Sequence, residues 1–220
     1  MKNLLLTGAT GMVGGIILRE ALQSDQVGKV TSIVRRASGQ QHPKLVEVVH
    51  QDFTDYSNIL PHFQQQDAAC FCIGVYTGQV SNELFKKITL DFVQSFSDIL
   101  HEQNPSATFC LLSGAGADQT EKSRVAFAKY KGMAENYLQS KDFGQLYLFR
   151  PAYIYPVEKR EEPNFTYRIS RRLYPVLKKL FPTMAITSER LAKAILQAAL
   201  HGAPKTVLEN EDIKQLVPES

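Results

Sequence analysis

The stretch LLLTGATGMVGG, residues 4–15, changes from an apolar run into a series of closely spaced glycines. Gly8, Gly11 and Gly14 recur at every third position, where a strand is expected to turn sharply into a helix. Glycine suits this turn because no Cβ intrudes where the backbone approaches a pyrophosphate. A helix that begins near Met12 would point its free N–H groups and positive dipole end at the phosphates. The stretch therefore predicts a nucleotide-binding turn made of Gly8, Thr10, Gly11, Met12, Val13 and Gly14.

Short apolar runs alternate with longer amphipathic runs through the following part of the chain. The predicted helices are residues 13–23, 56–62, 82–103 and 126–139, and the predicted strands are residues 3–7, 30–34, 45–49, 68–72, 108–112 and 146–149. Apolar residues recur every four positions in 82–103, as on one face of a helix. Strands that are apolar on both faces and separated by helices are typical of a parallel sheet covered on both sides. With right-handed crossovers, the fold class is α/β, a doubly wound parallel sheet of the Rossmann type.

The pattern changes after Arg150, where three prolines and several charges predict a surface loop. Two helix-like runs follow, at residues 165–181 and 188–200, and residues 206–208 form a short strand candidate. We interpret residues 1–220 as a single domain in which residues 151–220 form a small, partly helical cap on the substrate side. The basic, aromatic run 165–181 leaves open whether it covers the cleft or contacts a membrane or a protein partner.

Composition excludes several classes of protein. Hydrophobic residues make up 44% of the 220 residues and charged residues 21%, which is typical of a soluble globular domain, and a net charge of +3 gives no strong argument for nucleic acid binding. No signal peptide and no transmembrane segment is evident, so a cytoplasmic location is expected. No metal site is expected. Buried reduced thiols are expected at the cysteines, which are Cys70, Cys72 and Cys110. Surface or capping roles are expected for the histidines, which are His42, His50, His62, His101 and His201.

Five further residues, which follow the second, third and fourth predicted strands, bear on the nucleotide. Arg35 and Arg36 follow the second predicted strand, where an NAD site would carry an acidic residue for the ribose 2′-hydroxyl. Two guanidinium groups suit a 2′-phosphate instead, so the pattern favours NADP(H). Asp52 and Phe53 follow the third strand and could flank the adenine. Gly74 follows the fourth strand, where a small residue would let the cofactor pass.

The segments TGATGMVGG, VRR, QDF, CIGVYTG, LLSGAGAD, KGMAE and FRPAYIYP occur in an order that resembles the short-chain dehydrogenase/reductase superfamily. CIGVYTG and LLSGAGAD make the chain most similar to the atypical branch related to the HIV Tat-interacting oxidoreductase proteins. The resemblance covers residues 4–182. It implies a Rossmann domain that binds NADP(H) and places a serine, a tyrosine and a lysine around the nicotinamide.

The resemblance assigns roles to three residues of this chain. Ser113 matches the family serine, Lys131 the lysine that holds the nicotinamide ribose, and Pro151 the proline beside the carboxamide. The catalytic tyrosine should stand four residues before the lysine, one helical turn away. That position holds Phe127, whose ring has no proton to give.

Two tyrosines could replace the missing phenol. Tyr130 is adjacent to Lys131 and points about 100° away from it around a helix, so only a shifted helix start would bring its hydroxyl to the reacting atom. Tyr137 has the formal spacing to Lys141, but that lysine lies too close to the next strand, so both are interpreted as structural residues.

Two functions therefore stay open. The first is an NADP(H)-dependent oxidoreductase acting on a carbonyl or alcohol compound, with Ser113 orienting the substrate, Lys131 holding the cofactor, and Tyr130 or a water relaying the proton. The second is a catalytically weak or inert protein that senses NADP(H) and contacts a protein partner. The loss of a general acid typically costs about 10²–10⁴-fold in rate without affecting cofactor binding.

Overall fold

Strand β1 (Lys2–Thr7) is the centre of the fold, and its side chains explain how the sheet is covered. The computed structural model describes residues 1–76, 78–158 and 185–218. Along β1, Leu4 and Leu6 belong to one apolar cluster and Leu5 to a second, because successive side chains of a strand point to opposite faces. Both clusters are fully buried at these positions, so the sheet has a core on each side.

The main sheet has seven parallel strands in the order β3-β2-β1-β4-β5-β6-β9. Its members are β1, β2 (Val27–Val34), β3 (Leu45–Val49), β4 (Ala68–Phe71), β5 (Thr108–Leu112), β6 (Gln145–Arg150) and β9 (Val207–Glu209). The order reverses between β1 and β4, which opens a crevice at the carboxyl ends of these strands. The prediction of a doubly wound parallel sheet is confirmed.

Helices cover both faces of this sheet. They are α1 (Gly14–Gln23), α2 (Asn82–Lys86), α3 (Phe92–Gln103), α4 (Ala126–Gln139), α5 (Ser188–His201) and α6 (Asn210–Leu216). Side chains of α1 and α5 complete the cluster that contains Leu4, and side chains of α3 and α4 complete the cluster that contains Leu5. The connections α1 and α5 therefore lie on one face of the sheet, and α3 and α4 lie on the other.

Two of the predicted helices are confirmed as helical but are not plain α-helices. Residues 56–62 form a 3₁₀ helix, Ser57–Phe63, rather than an α-helix, and Pro61 inside it has no N–H to donate to an α-helical ladder. Residues 82–103 are helical throughout, but a π-helical turn, Lys87–Asp91, joins α2 to α3. A π turn rotates the helix face relative to that of a continuous α-helix. Side chains spaced by four residues therefore stay on one side of this helix.

The C-terminal part contributes to two sheets. Strand β9 pairs with β6 and forms one edge of the main sheet. Strands β7 (Tyr153–Tyr155) and β8 (Ala185–Thr187) form a separate parallel pair. The predicted helix at 165–181 lies outside the described residues. No helix in the described part of the chain has both the length and the apolar character needed to span a bilayer.

Candidate functional site

The glycine turn between β1 and α1 is too tightly packed to accept side chains. Gly8 has φ +77°, and a Cβ there would lie 2.7 Å from the carbonyl carbon and oxygen of Cys72. A Cβ on Gly14 would lie 2.2 Å from the carbonyl oxygen of Gly8, far inside contact distance. The Gly11 N–H donates to that same oxygen over 2.8 Å. The glycines therefore let α1 begin directly against the end of β1.

A cavity of about 450 Å³ opens beside this turn, at the carboxyl ends of β1, β2 and β4. Six of the predicted cofactor residues line it, namely Gly8, Thr10, Gly11, Arg35, Phe53 and Gly74. A Cβ on Gly74 would meet nothing within 4 Å, because it would project into open space. Leu84, Ile88 and Phe92 also line it, and they lie before, within and after the π turn, respectively.

Five of the other predicted cofactor residues do not line the cavity. Met12, Val13 and Gly14 are in the turn but do not line the cavity, and Arg36 is exposed beside it. Asp52 also lies outside the lining. Its Oδ1 accepts hydrogen bonds from the N–H and the hydroxyl of Thr54, at 2.9 and 2.6 Å, and these bonds hold the pKa of Asp52 below its usual value.

Lys131 lies buried at the carboxyl end of β5. Its Nζ donates to the carbonyl oxygen of Leu112 over 2.9 Å, which is its one hydrogen bond within the described residues. Burial lowers the pKa of Lys131 to about 8, and the charges of Glu135 and Cys72 oppose this shift in part. Loss of a proton from the Lys131 ammonium near neutral pH therefore costs less free energy than it does in water.

The hydroxyl of Ser113 donates its hydrogen bond to a buried carboxylate. Its Oγ donates to Oε1 of Glu135 over 2.5 Å, and Glu135 is completely buried. The same carboxylate accepts from Nε and Nη2 of Arg150 and from Nε2 of Gln119. The single hydroxyl proton of Ser113 therefore points at a carboxylate that Arg150 and Gln119 also hold, and not at a substrate.

The sequence predictions missed Glu135 and Arg150. Glu135 stands four residues after Lys131, on the same side of α4, and Arg150 is the last residue of β6. A carboxylate one turn from a functional lysine is the sequence signal that could have pointed to Glu135. Arg150 also forms an ion pair with Glu209 at 2.9 Å, so the network extends to β9.

The three aromatic side chains of α4 make different contacts. The ring of Phe127 contacts Gly114, where a Cβ would lie 2.5 Å from Cζ. The Tyr130 ring packs toward α2, with its centroid 6.4 Å from that of Phe85. Tyr137 donates to Asp98 over 2.6 Å, and Lys141 pairs with the same carboxylate, which joins α4 to α3.

The segment after β6 lies next to the Ser113 loop. The carbonyl oxygen of Pro151 accepts from the N–H of Ala115 over 2.9 Å, and the N–H of Ser113 donates to Phe149 over 2.8 Å. Pro151 is buried at this junction.

Among the described residues, no group of histidines, cysteines and carboxylates is arranged to hold a metal ion.

Comparison with known proteins agrees with this geometry. The sequence model of a family described as NAD(P)H-binding matches residues 8–201. Protein HTATIP2 of Rattus norvegicus is 27% identical over 166 residues, 74% of this chain and 67% of that protein. Mitochondrial protein FMP52 of Saccharomyces cerevisiae is 30% identical over 152 residues, 68% of this chain and 64% of that protein. The resemblance proposed from the motifs is confirmed.

Solved structures share the fold. The Bordetella bronchiseptica enzyme WbmH in complex with NAD⁺ has a TM-score of 0.69 and 18% identity, covering 94% of this chain and 74% of that one. A short chain dehydrogenase family protein from Francisella tularensis has a TM-score of 0.64 and 16% identity, covering 91% of both chains. At 18% and 16% sequence identity, these similarities show a shared fold alone.

Proposed function

Because the chain belongs to the NAD(P)H-binding family, we propose that the cavity beside the glycine turn binds NADP(H). The observation that carries the choice of NADP(H) is Arg35, which lines this cavity directly after β2. Its guanidinium can form two parallel hydrogen bonds with a 2′-phosphate. The Gln51 amide donates to the Arg35 carbonyl over 2.6 Å and supports the backbone at this position.

Replacing Arg35 tests the preference for NADP(H). Arg35→Ala should raise the Kd for NADPH and leave the Kd for NADH almost unchanged, as titration of nucleotide fluorescence would show. Arg36→Ala is the matched control, since Arg36 is exposed and does not line the cavity. If Arg35→Ala leaves the ratio of the two constants at its wild-type value, the preference for NADP(H) is wrong.

We further propose that this protein binds NADP(H) with little carbonyl reduction, and that it acts as a sensor that contacts a protein partner. NADPH supplies a hydride when bound, but the described side chains offer few donors for a carbonyl oxygen. Phe127 has no hydroxyl, Ser113 donates to Glu135, and the Tyr130 ring is directed at Phe85. A partner that binds only the NADP(H)-loaded protein in a pull-down would support the sensor.

The oxidoreductase keeps one specific observation in its favour. Lys131 is buried with a pKa lowered to about 8, so it can exchange a proton near neutral pH. A carbonyl or alcohol compound would be the substrate class, and Ser113 would contact it through its lone pairs.

A cytoplasmic location also stays a proposal, to be tested by cell fractionation.

Phe127→Tyr separates the two proposals. The change puts a hydroxyl on Cζ, beside Gly114, and should raise carbonyl reduction by NADPH about 10²–10⁴-fold over the wild type. A panel of small aldehydes and ketones, followed by NADPH absorbance, measures this gain. Tyr130→Phe is the control: wild-type turnover that disappears in Tyr130→Phe would make Tyr130 the proton relay and contradict the weak-catalyst proposal.

A further inference from the structure

His50 is a buried histidine at the carboxyl end of β3, where a surface or capping role was expected. Only 8% of its surface is exposed. Its Nε2 lies 2.7 Å from the carbonyl oxygen of Asp52 and 2.8 Å from that of Asp55. Carbonyl oxygens can only accept, so Nε2 carries the proton and donates to both. One imidazole N–H therefore holds both ends of the turn at residues 52–55.

This turn carries part of the cavity wall. Phe53 lies within it and lines the cavity opposite the π turn. The Phe53 and Phe92 rings lie 5.6 Å apart, and both side chains face the cavity. The His50 ring lies 5.8 Å from that of Phe53 and stacks on Tyr56 at 5.2 Å. His50 thus contacts the turn both through its N–H and through its ring.

The backbone around His50 also reaches the neighbouring strand. The His50 N–H donates to the carbonyl oxygen of Val34 over 2.8 Å. The next residue, Gln51, holds the carbonyl of Arg35. The end of β3 is therefore joined both to the turn that carries Phe53 and to the segment that carries Arg35.

We propose that His50 is a positioning residue for the adenosine half of the cofactor. Its Nε2–H keeps the turn at 52–55 closed, and the closed turn presents Phe53 as the apolar surface against which the adenine lies. The inference rests on the proposed NADP(H) site and deepens it. Since the 2′-phosphate is not involved, His50 should affect NADPH and NADH equally.

His50→Phe removes the N–H and keeps an aromatic ring of similar size. It should raise the Kd for both NADPH and NADH about tenfold, because two carbonyl groups lose their donor and the turn opens. The ratio of the two constants should stay at its wild-type value. His50→Gln keeps a donor and should recover much of the loss. His201→Phe, at the exposed end of α5, is the control and should bind both nucleotides as the wild type does.

Thermal melts of the free variants separate positioning from a purely structural role. A variant that melts earlier but binds both nucleotides normally below its Tm would overturn the inference, as would a changed NADPH to NADH ratio. If His50→Phe does not fold, His50→Gln and His50→Leu decide the same question, since they differ in the donor. Wild-type protein that binds neither nucleotide would sink the proposed function as well, whereas normal wild-type binding with an unaffected His50 variant overturns this inference alone.

Discussion

A Cβ on Gly14 would overlap the carbonyl oxygen of Gly8, whereas a Cβ on Gly74 would meet open space. The two glycines are therefore required for different reasons. Gly14 is needed so that α1 can start against β1, and Gly74 is expected to leave room for a ligand. One added methyl group should therefore affect the stability of the fold at Gly14 and the binding of a ligand at Gly74.

Alanine substitution at these two glycines tests that difference. Gly14→Ala should lower the free energy of unfolding by several kcal/mol, on the order of a core overpacking change or more. Gly74→Ala should change it by less than about 1 kcal/mol and raise the Kd for NADPH severalfold. Chemical denaturation and nucleotide titration measure the two effects. Unchanged NADPH binding by Gly74→Ala would place the ligand elsewhere.

Residues at the ends of two strands contact Glu135 of α4. Ser113 follows β5, Arg150 ends β6, and both contact this one buried carboxylate. Helix α4 is therefore held to the ends of β5 and β6 by a hydrogen bond and an ion pair as well as by apolar packing. The arrangement restricts Ser113 to accepting hydrogen bonds from a ligand, which is a consequence of element packing rather than of the serine itself.

Neutralising Glu135 should break this tie. Glu135→Gln leaves the Arg150 guanidinium partly buried with a single opposing charge, so the free energy of unfolding should fall by about 3–5 kcal/mol. Glu209→Gln is the matched control, because Glu209 is half-exposed and its loss should cost about 1 kcal/mol or less. Urea denaturation compares the two. Equal effects would contradict the central role of Glu135.

For the whole molecule, the buried Lys131 predicts how stability depends on pH. Its pKa is lowered from 10.5 to about 8, so the unfolded chain binds more protons than the folded one between these values. The contribution of Lys131 to stability therefore rises as pH rises through this window, and folding is penalised most below it.

Comparing wild type with Lys131→Met isolates this contribution, since other titrating groups are shared. The free energy of unfolding of the wild type minus that of the variant should increase by on the order of 2 kcal/mol from pH 7.5 to 10. Urea melts over that range measure it. A difference that stays constant with pH would show that Lys131 titrates normally.

Much of the whole architecture was predictable because its signals are local. Residues 108–112 and 126–139 were predicted with the bounds that the structure shows. The π turn was not, since the four-residue spacing in 82–103 is compatible with any helix and only packing selects the helix type. The small β7–β8 sheet was also missed, because three-residue strands carry no measurable period.

The amino-acid sequence alone was enough to predict the glycine turn, the alternation of strands and helices, and the lack of a hydroxyl at Phe127. These are properties of contiguous residues, since turns depend on Cβ sterics and periodicity on backbone geometry. The three-dimensional structure was needed to show that Arg35 rather than Arg36 lines the cavity, that the Ser113 hydroxyl donates a hydrogen bond to Glu135, and that the His50 N–H donates to two carbonyl groups. Each depends on side-chain direction or on burial, which the packing of distant segments creates and no local pattern encodes.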